Sequence, residues 1–188
     1  MPKFQWVEHC SFRVDGTPKA QPRGRAFAIK RCSNGHTFSA KKYRCPKCQA
    51  LGTVSARIHD AGTAKEWKRA VWAAAQRFKT ASPITLPLRV DVDFYMPRPK
   101  TFSPKVRAAY GGSSRDIPSG PVLFLPKPDR DNLDKAVLDA LTKANFMADD
   151  SLVCWGTVRK FYHGIGGRPG ARIRIMVWKP TKGPENDA

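Results

Sequence analysis

Two groups of side chains in this sequence have the types and spacing for metal chemistry. The first lies between Lys127 and Asp150: Asp129, Asp131, Asp134 and Asp139, then the pair Asp149-Asp150. Pro128 favours extended chain, and residues two apart on an extended backbone point the same way, so Asp129 and Asp131 project together. Carboxylates are the hard oxygen ligands that Mg²⁺ or Mn²⁺ takes, and a polynucleotide supplies the remaining oxygens from its phosphate. Such a site can generate hydroxide and steady the leaving oxygen of an in-line displacement. Lys135, one helical turn further on, is spaced to offset charge on the reacting phosphorus. The second group is Cys32, His36, Cys45 and Cys48, a C-x3-H-x8-C-x2-C pattern. Two pairs of soft ligands fit one tetrahedral Zn²⁺. Four protein ligands leave no position for water, so the expected zinc is structural.

Charge gives the acids their meaning. The chain has 188 residues with 34 Lys/Arg against 15 Asp/Glu, a formal +19, which points to a polyanionic partner, nucleic acid before anionic membrane. Residues 129–150 reverse that sign, with six acids against three bases. Acids placed there resist phosphates unless a cation intervenes. An N-cap at Asp131 and a Lys135–Asp139 helix pair account for two of them. Asp129, Asp149 and Asp150 are among those left over. Residues 11–49 hold ten Lys/Arg and the single acid Asp15, so the cysteine-rich segment is also expected to touch phosphates.

Neither a membrane-spanning apolar run nor a secretory h-region is visible, and the five cysteines are an odd number. The expected compartment is therefore reducing: the cytoplasm of a bacterium or of a phage-infected cell.

These residues need elements to hold them. Short strands are expected at 10–15 and 25–30 around a basic turn, and a helix at 64–79 opened by a Thr63–Glu66 capping box. Alternation over 88–96 predicts a half-buried strand with Asp91 and Asp93 on its polar face. Residues 97–128 read as a long loop with one helical turn near 103–110. Leu133, Ala136, Val137, Ala140, Leu141 and Ala144 make one face of a helix over 132–144. Strands at 153–162 and 171–178 close the domain. The fold class is α+β, a mixed sheet packed with helices over residues 1–180, interrupted by a zinc-ribbon-like insertion at 31–50. Residues 181–188 read as a loose tail.

The run Lys127-Pro-Asp-Arg-Asp-Asn-Leu-x-Lys135-x3-Asp139-Ala-Leu, with Asp149-Asp150 after it, closely resembles the RusA family of Holliday junction resolvases. The likeness extends to Lys160, to the early Gly16-x-Pro18…Arg23-x-Arg25 stretch and to the segment from Arg89 to Lys100. It implies a homodimeric, Mg²⁺-dependent endonuclease that makes paired nicks in four-way DNA junctions. On this resemblance the essential aspartates are Asp129, Asp131 and Asp150 and the catalytic lysine is Lys135. Asp139 and Asp149 are supporting residues. The insertion at 31–50 departs from the family core.

The expected function is thus divalent-metal-dependent cleavage of branched DNA in recombination, repair or phage replication. Arg23, Arg25, Lys127, Arg130 and Lys160 are the expected phosphate contacts. Two other readings remain: a nuclease for flaps, forks or RNA-containing substrates, and a non-catalytic DNA-binding protein whose working part is the zinc module.

Overall fold

The computed structural model describes residues 3–21, 25–59 and 64–181, with backbone alone for 25–27 and 56–59. Arg23, the Thr63 half of the expected capping box and the tail beyond 181 lie outside the described residues. In chain order the elements are β1 (Phe4–Asp15), β2 (Arg25–Cys32), β3 (Thr37–Ser39), β4 (Gly52–His59), α1 (Lys65–Ala75), β5 (Leu88–Met96), α2 (Pro104–Ala109), β6 (Val122–Leu123), α3 (Arg130–Lys143), β7 (Val153–Trp155), β8 (Val158–Tyr162) and β9 (Gly170–Pro180). They form two compact units, residues 22–62 and the remainder.

The larger unit is α+β, built on a mixed sheet of order β1-β9-β5-β8-β6, with β7 also beside β5. Strand β5 is antiparallel to β9 and parallel to β7 and β8. Its side chains alternate as expected. Leu88, Val90, Val92, Phe94 and Met96 are buried, while Arg89, Asp91, Asp93 and Tyr95 take the other face. Trp67, Val71 and Ala75 of α1 and Leu133, Val137 and Leu141 of α3 pack on the apolar face as one core. Full burial of each large apolar side chain contributes about 1.5–3 kcal/mol. The site-bearing helix is therefore fastened to the sheet by its apolar stripe, and its polar side stays outward.

Several expected boundaries shift for reasons of pairing. Strand β1 begins earlier than residue 10 and pairs along its length with β9, the last strand of the unit, across a bulge at Glu8/Cys10. The segment at 25–32 does not partner it, since β2 pairs with β3 and β4 instead. The expected strand at 153–162 is two strands. A Cβ on Gly156 would fall on the Val90 carbonyl, so the chain crosses β5 at that glycine without a side chain. The 97–128 stretch is largely ordered around a small second core of Phe102, Val106, Ile117, Val122 and Tyr162. Arg98 ties it down. Its guanidinium donates to the carbonyls of Pro118, at 2.7 Å, and Gly120, at 3.0 Å, and lies over the Phe102 ring. No helix among the described residues is long and apolar enough to cross a membrane.

The smaller unit is a three-stranded antiparallel sheet of order β3-β2-β4. It extends beyond 31–50 because the strands that close it, β2 and β4, run outward to residues 25 and 59. Its small core is Cys32, Phe38 and Cys45. Gly52 is required there: an added Cβ would stand 2.7 Å from Cζ of Phe38, whose ring occupies the space.

Candidate active site and metal centre

Helix α3 begins two residues before the expected position. Asp129, not Asp131, is its N-cap, and the Asp129 side chain makes no capping hydrogen bond. Asp129 is exposed, as are Asp131 in the first turn and Lys135 one turn on. Residues 131, 135 and 139 are spaced i, i+4, i+8 and share one side of the helix. The last of them is fixed from outside: Asp139 Oδ2 takes an ion pair from Lys68 Nζ of α1 at 2.9 Å, with both side chains largely buried. Asp139 thus ties α3 to α1 and does not pair with Lys135 as its spacing allowed.

The approach to Asp129 is held from the sheet. Lys160 of β8 donates its ammonium to the carbonyls of Pro126, at 3.1 Å, and Pro128, at 2.8 Å. Burial lowers the Lys160 pKa, and nearby Asp129 opposes that shift. Lys160 is therefore engaged in shaping the segment before Asp129, whatever else it touches. Lys127 and Arg130 flank that segment and are exposed. The Arg25 side chain is not among those described.

The return to α3 runs through Asn145. That residue has φ 54°, Asn145 N–H donates to the Thr142 carbonyl and Phe146 N–H to that of Leu141, which is a Schellman ending. Phe146 and Met147 then plug the core, and Met147 bridges to Ile84. Asp149 and Asp150 follow, both exposed, and a 3₁₀ turn at Asp150–Leu152 packs against α3. Asp149 caps that turn, accepting from Ser151 N–H at 2.8 Å, and its contacts with Ser151 hold its carboxyl below the usual range. Asp150 is the member of the pair not occupied by the cap.

Beside this row lies a cleft of about 460 Å³ between α3 and the β7–β8 segment, lined by Arg130, Asp134, Leu138, Cys154, Trp155 and neighbours. Burial pushes the Asp134 carboxyl up, and Arg130 only partly offsets it. The i, i+4, i+8 spacing of 130, 134 and 138 was the available signal for this second side of α3. Lys68 and Arg98 had none.

Asp91 and Asp93 are on the sheet face opposite the helices. Burial raises the Asp91 carboxyl, but Thr157 and Arg89 more than reverse this and leave it lowered. Asp93 binds Arg159 through two bonds, at 2.6 and 2.8 Å. These acids neutralise arginines of their own sheet.

In the smaller unit Cys32, His36, Cys45 and Cys48 place one ligand atom each within 4.8 Å of all the others. The Sγ atoms of Cys32 and Cys48 are 3.5 Å apart, and His36 Nδ1 is 3.6 and 3.7 Å from those of Cys32 and Cys45. With Zn–S near 2.3 Å and Zn–N near 2.0–2.1 Å, the edges of a tetrahedral zinc site come to about 3.4–3.8 Å. The cluster fits zinc, with Nδ1 as the histidine ligand. Burial raises the Cys45 thiol, yet the Lys47 and Cys48 N–H groups and the neighbouring sulfurs bring it down to about 6. Cys10 and His9 take no part in the cluster: Cys10 is in the core of the larger unit, where burial, then Glu8, pushes its thiol to about 12.

A search of curated proteins returned no match. The family model described as Endodeoxyribonuclease RusA matches residues 15–176, a span that contains α3, the Asp149-Asp150 pair, strands β5 to β8 and most of β9. With so much of its length accounted for, the chain belongs to the RusA endodeoxyribonuclease family.

Proposed function

We propose that this chain hydrolyses phosphodiesters at four-way DNA junctions, as a homodimer that makes paired symmetric nicks in recombination or repair, in the cytoplasm of a bacterium or a phage-infected cell. The observation that carries the reading is the capping arrangement: Asp129 and Asp131 are exposed at the start of α3, and Asp150 follows on a turn packed against the same helix. In a chain of charge +19 these acids make sense beside phosphates only with a cation between them.

Asp129, Asp131 and Asp150 would hold Mg²⁺ or Mn²⁺, a donor set of hard oxygens that suits either ion. When bound, the ion supplies Lewis acidity and a water of lowered pKa. Lys135 offsets charge on the reacting phosphate. Asp139 and Asp149 support the site by fixing α1 to α3 and by capping the turn that begins at Asp150. Lys127 and Arg130, with Arg23, Arg25 and Lys160, bind the DNA backbone. Zinc on Cys32, His36, Cys45 and Cys48 holds the smaller unit folded, because its core is too small to do so alone. Two symmetric sites in a two-fold dimer match opposed strands of a two-fold junction.

The test is cleavage of a labelled four-way junction against linear duplex, flaps and forks, with and without Mg²⁺, beside Asp131→Asn. Paired nicks that need Mg²⁺, prefer the junction and vanish in the variant are expected. Cutting that ignores branching would overturn the substrate, and full activity in the variant would overturn the site.

A further inference from the structure

The smaller unit carries a feature that zinc binding does not use. Tyr43, on the turn between β3 and the Cys45–Cys48 knuckle, is 72 % exposed, the second most exposed large apolar or aromatic side chain among the described residues. Two cations lie over its ring at the limit of contact, Lys30 Nζ at 6.0 Å and the Arg44 guanidinium at 5.9 Å from the centroid, which leaves most of the ring open. Neither is a loose surface charge. Lys30 donates to the Lys42 carbonyl at 3.0 Å, and Arg44 donates to that of Gln49 at 2.9 Å. The Arg44–Leu51 bridge closes the knuckle behind them. Residues 25–59 contain eight Lys/Arg and no Asp or Glu.

We infer that Tyr43, with Lys30 and Arg44 held beside it, is a binding site for single-stranded DNA, on which an unpaired base stacks while the two cations take the adjoining phosphates. Stacking requires a base face that a duplex keeps covered, so the site selects unpaired strand over duplex. Cations within about 6 Å of an aromatic ring favour it electrostatically and fix its orientation. Because the carbonyls of Lys42 and Gln49 already hold those cations, little ordering remains for binding to impose. A zinc-held knuckle is a rigid support for such a platform, and residues 25–59 themselves contain no acid to repel a phosphate. The site does not depend on the proposed cleavage chemistry and is read without divalent metal.

The experiment uses the full zinc-loaded chain, without Mg²⁺, and fluorescence anisotropy of a short labelled oligothymidine. Tyr43→Ala is expected to weaken binding roughly 5- to 150-fold, the range for loss of one stacked base, while Tyr43→Phe binds as the parent does. The salt slope stays the same in both, because Lys30 and Arg44 remain. Duplex binding is expected to stay near the parent value, because phosphate contacts that do not involve Tyr43 carry it. Zinc content is measured in each variant. A second measurement needs no variant: an abasic strand of equal length should bind the parent chain as weakly as oligothymidine binds Tyr43→Ala. Equal affinity of the parent for oligothymidine and abasic strand overturns the inference, as does an unchanged Tyr43→Ala with full zinc. Either result would make the surface a plain basic patch that binds any polyanion. Loss of junction cutting with oligothymidine binding intact would count against the nuclease reading alone.

Discussion

The ammonium of Lys160 lies 2.8 Å from the carbonyl oxygen of Pro128, the residue immediately before Asp129. A lysine on a strand of the sheet thereby shapes the segment that presents the first acid of the candidate site, and it reaches Pro126 as well. Hydrogen bonds from a charged donor are worth roughly 1.5–3 kcal/mol. Lys160→Met is expected to lower single-turnover junction cleavage by about 10-fold or more at this energy while the chain stays folded, with Lys160→Arg recovering part of it. Cleavage by Lys160→Met at the parent rate would show that the Asp129 segment holds its shape unaided.

Asp149 and Asp150 are adjacent and have different work. Asp149 already accepts from Ser151 N–H, whereas Asp150 does not serve as the cap. Asp150→Asn is expected to abolish metal-dependent cutting, and Asp149→Asn to leave most of it. A reversed order in a cleavage assay of the two variants would exchange their roles.

The Lys68–Asp139 pair joins α1 to α3 with side chains only 15 % and 22 % exposed. Its coupling is expected to fall between the ~1 kcal/mol ceiling of surface pairs and the ~3 kcal/mol of buried ones. A double-mutant cycle with Lys68→Met and Asp139→Asn, followed by denaturant unfolding, measures it. Additive effects would mean that the two helices are held by apolar packing alone.

Zinc removal is expected to act on one unit. Protein purified without chelator should carry equimolar zinc, and Cys45→Ser should lose it, together with the protection of β2–β4 amides from hydrogen exchange. The amides of β5 and α3 should keep theirs, because their core contains no cluster residue. Metal analysis and site-resolved exchange read both. Protected β2–β4 amides in zinc-free protein would refute a structural zinc.

Asp134 predicts an unusual pH dependence. Burial raises its folded pKa above the ordinary 3.8, so the folded chain holds that proton more tightly than the unfolded chain does. The stability it contributes is present below the unfolded value and is lost as pH rises through the folded one. Asp134→Asn is therefore expected to raise the thermal midpoint at neutral pH, with the gain vanishing below about pH 3.8. A lowered midpoint at neutral pH would identify Asp134 as a paired anion.

Local pattern made much of this protein readable in advance. The α+β class, the bounds of β5 and the apolar stripe of α3 follow from periods of two and 3.6, which any stretch of chain displays without its neighbours. The zinc cluster follows from Cys-x2-Cys and Cys-x3-His, because both pairs close within one turn. The acids of residues 129–150 stood out as a group against a chain charge of +19, and the resemblance to the RusA family singled out 129, 131 and 150 among them. Partnership was not readable. That β1 pairs with β9, that Gly156 breaks a strand against Val90, and that Lys160 holds the segment before Asp129 depend on which chain lies alongside. Asp93 was readable only as a member of the polar face of its strand, and the fold alone brought Arg159, 66 residues away, to lie beside it. A carboxylate faces arginine or open solvent according to its neighbour across the sheet, and neighbours so distant leave no period in the sequence.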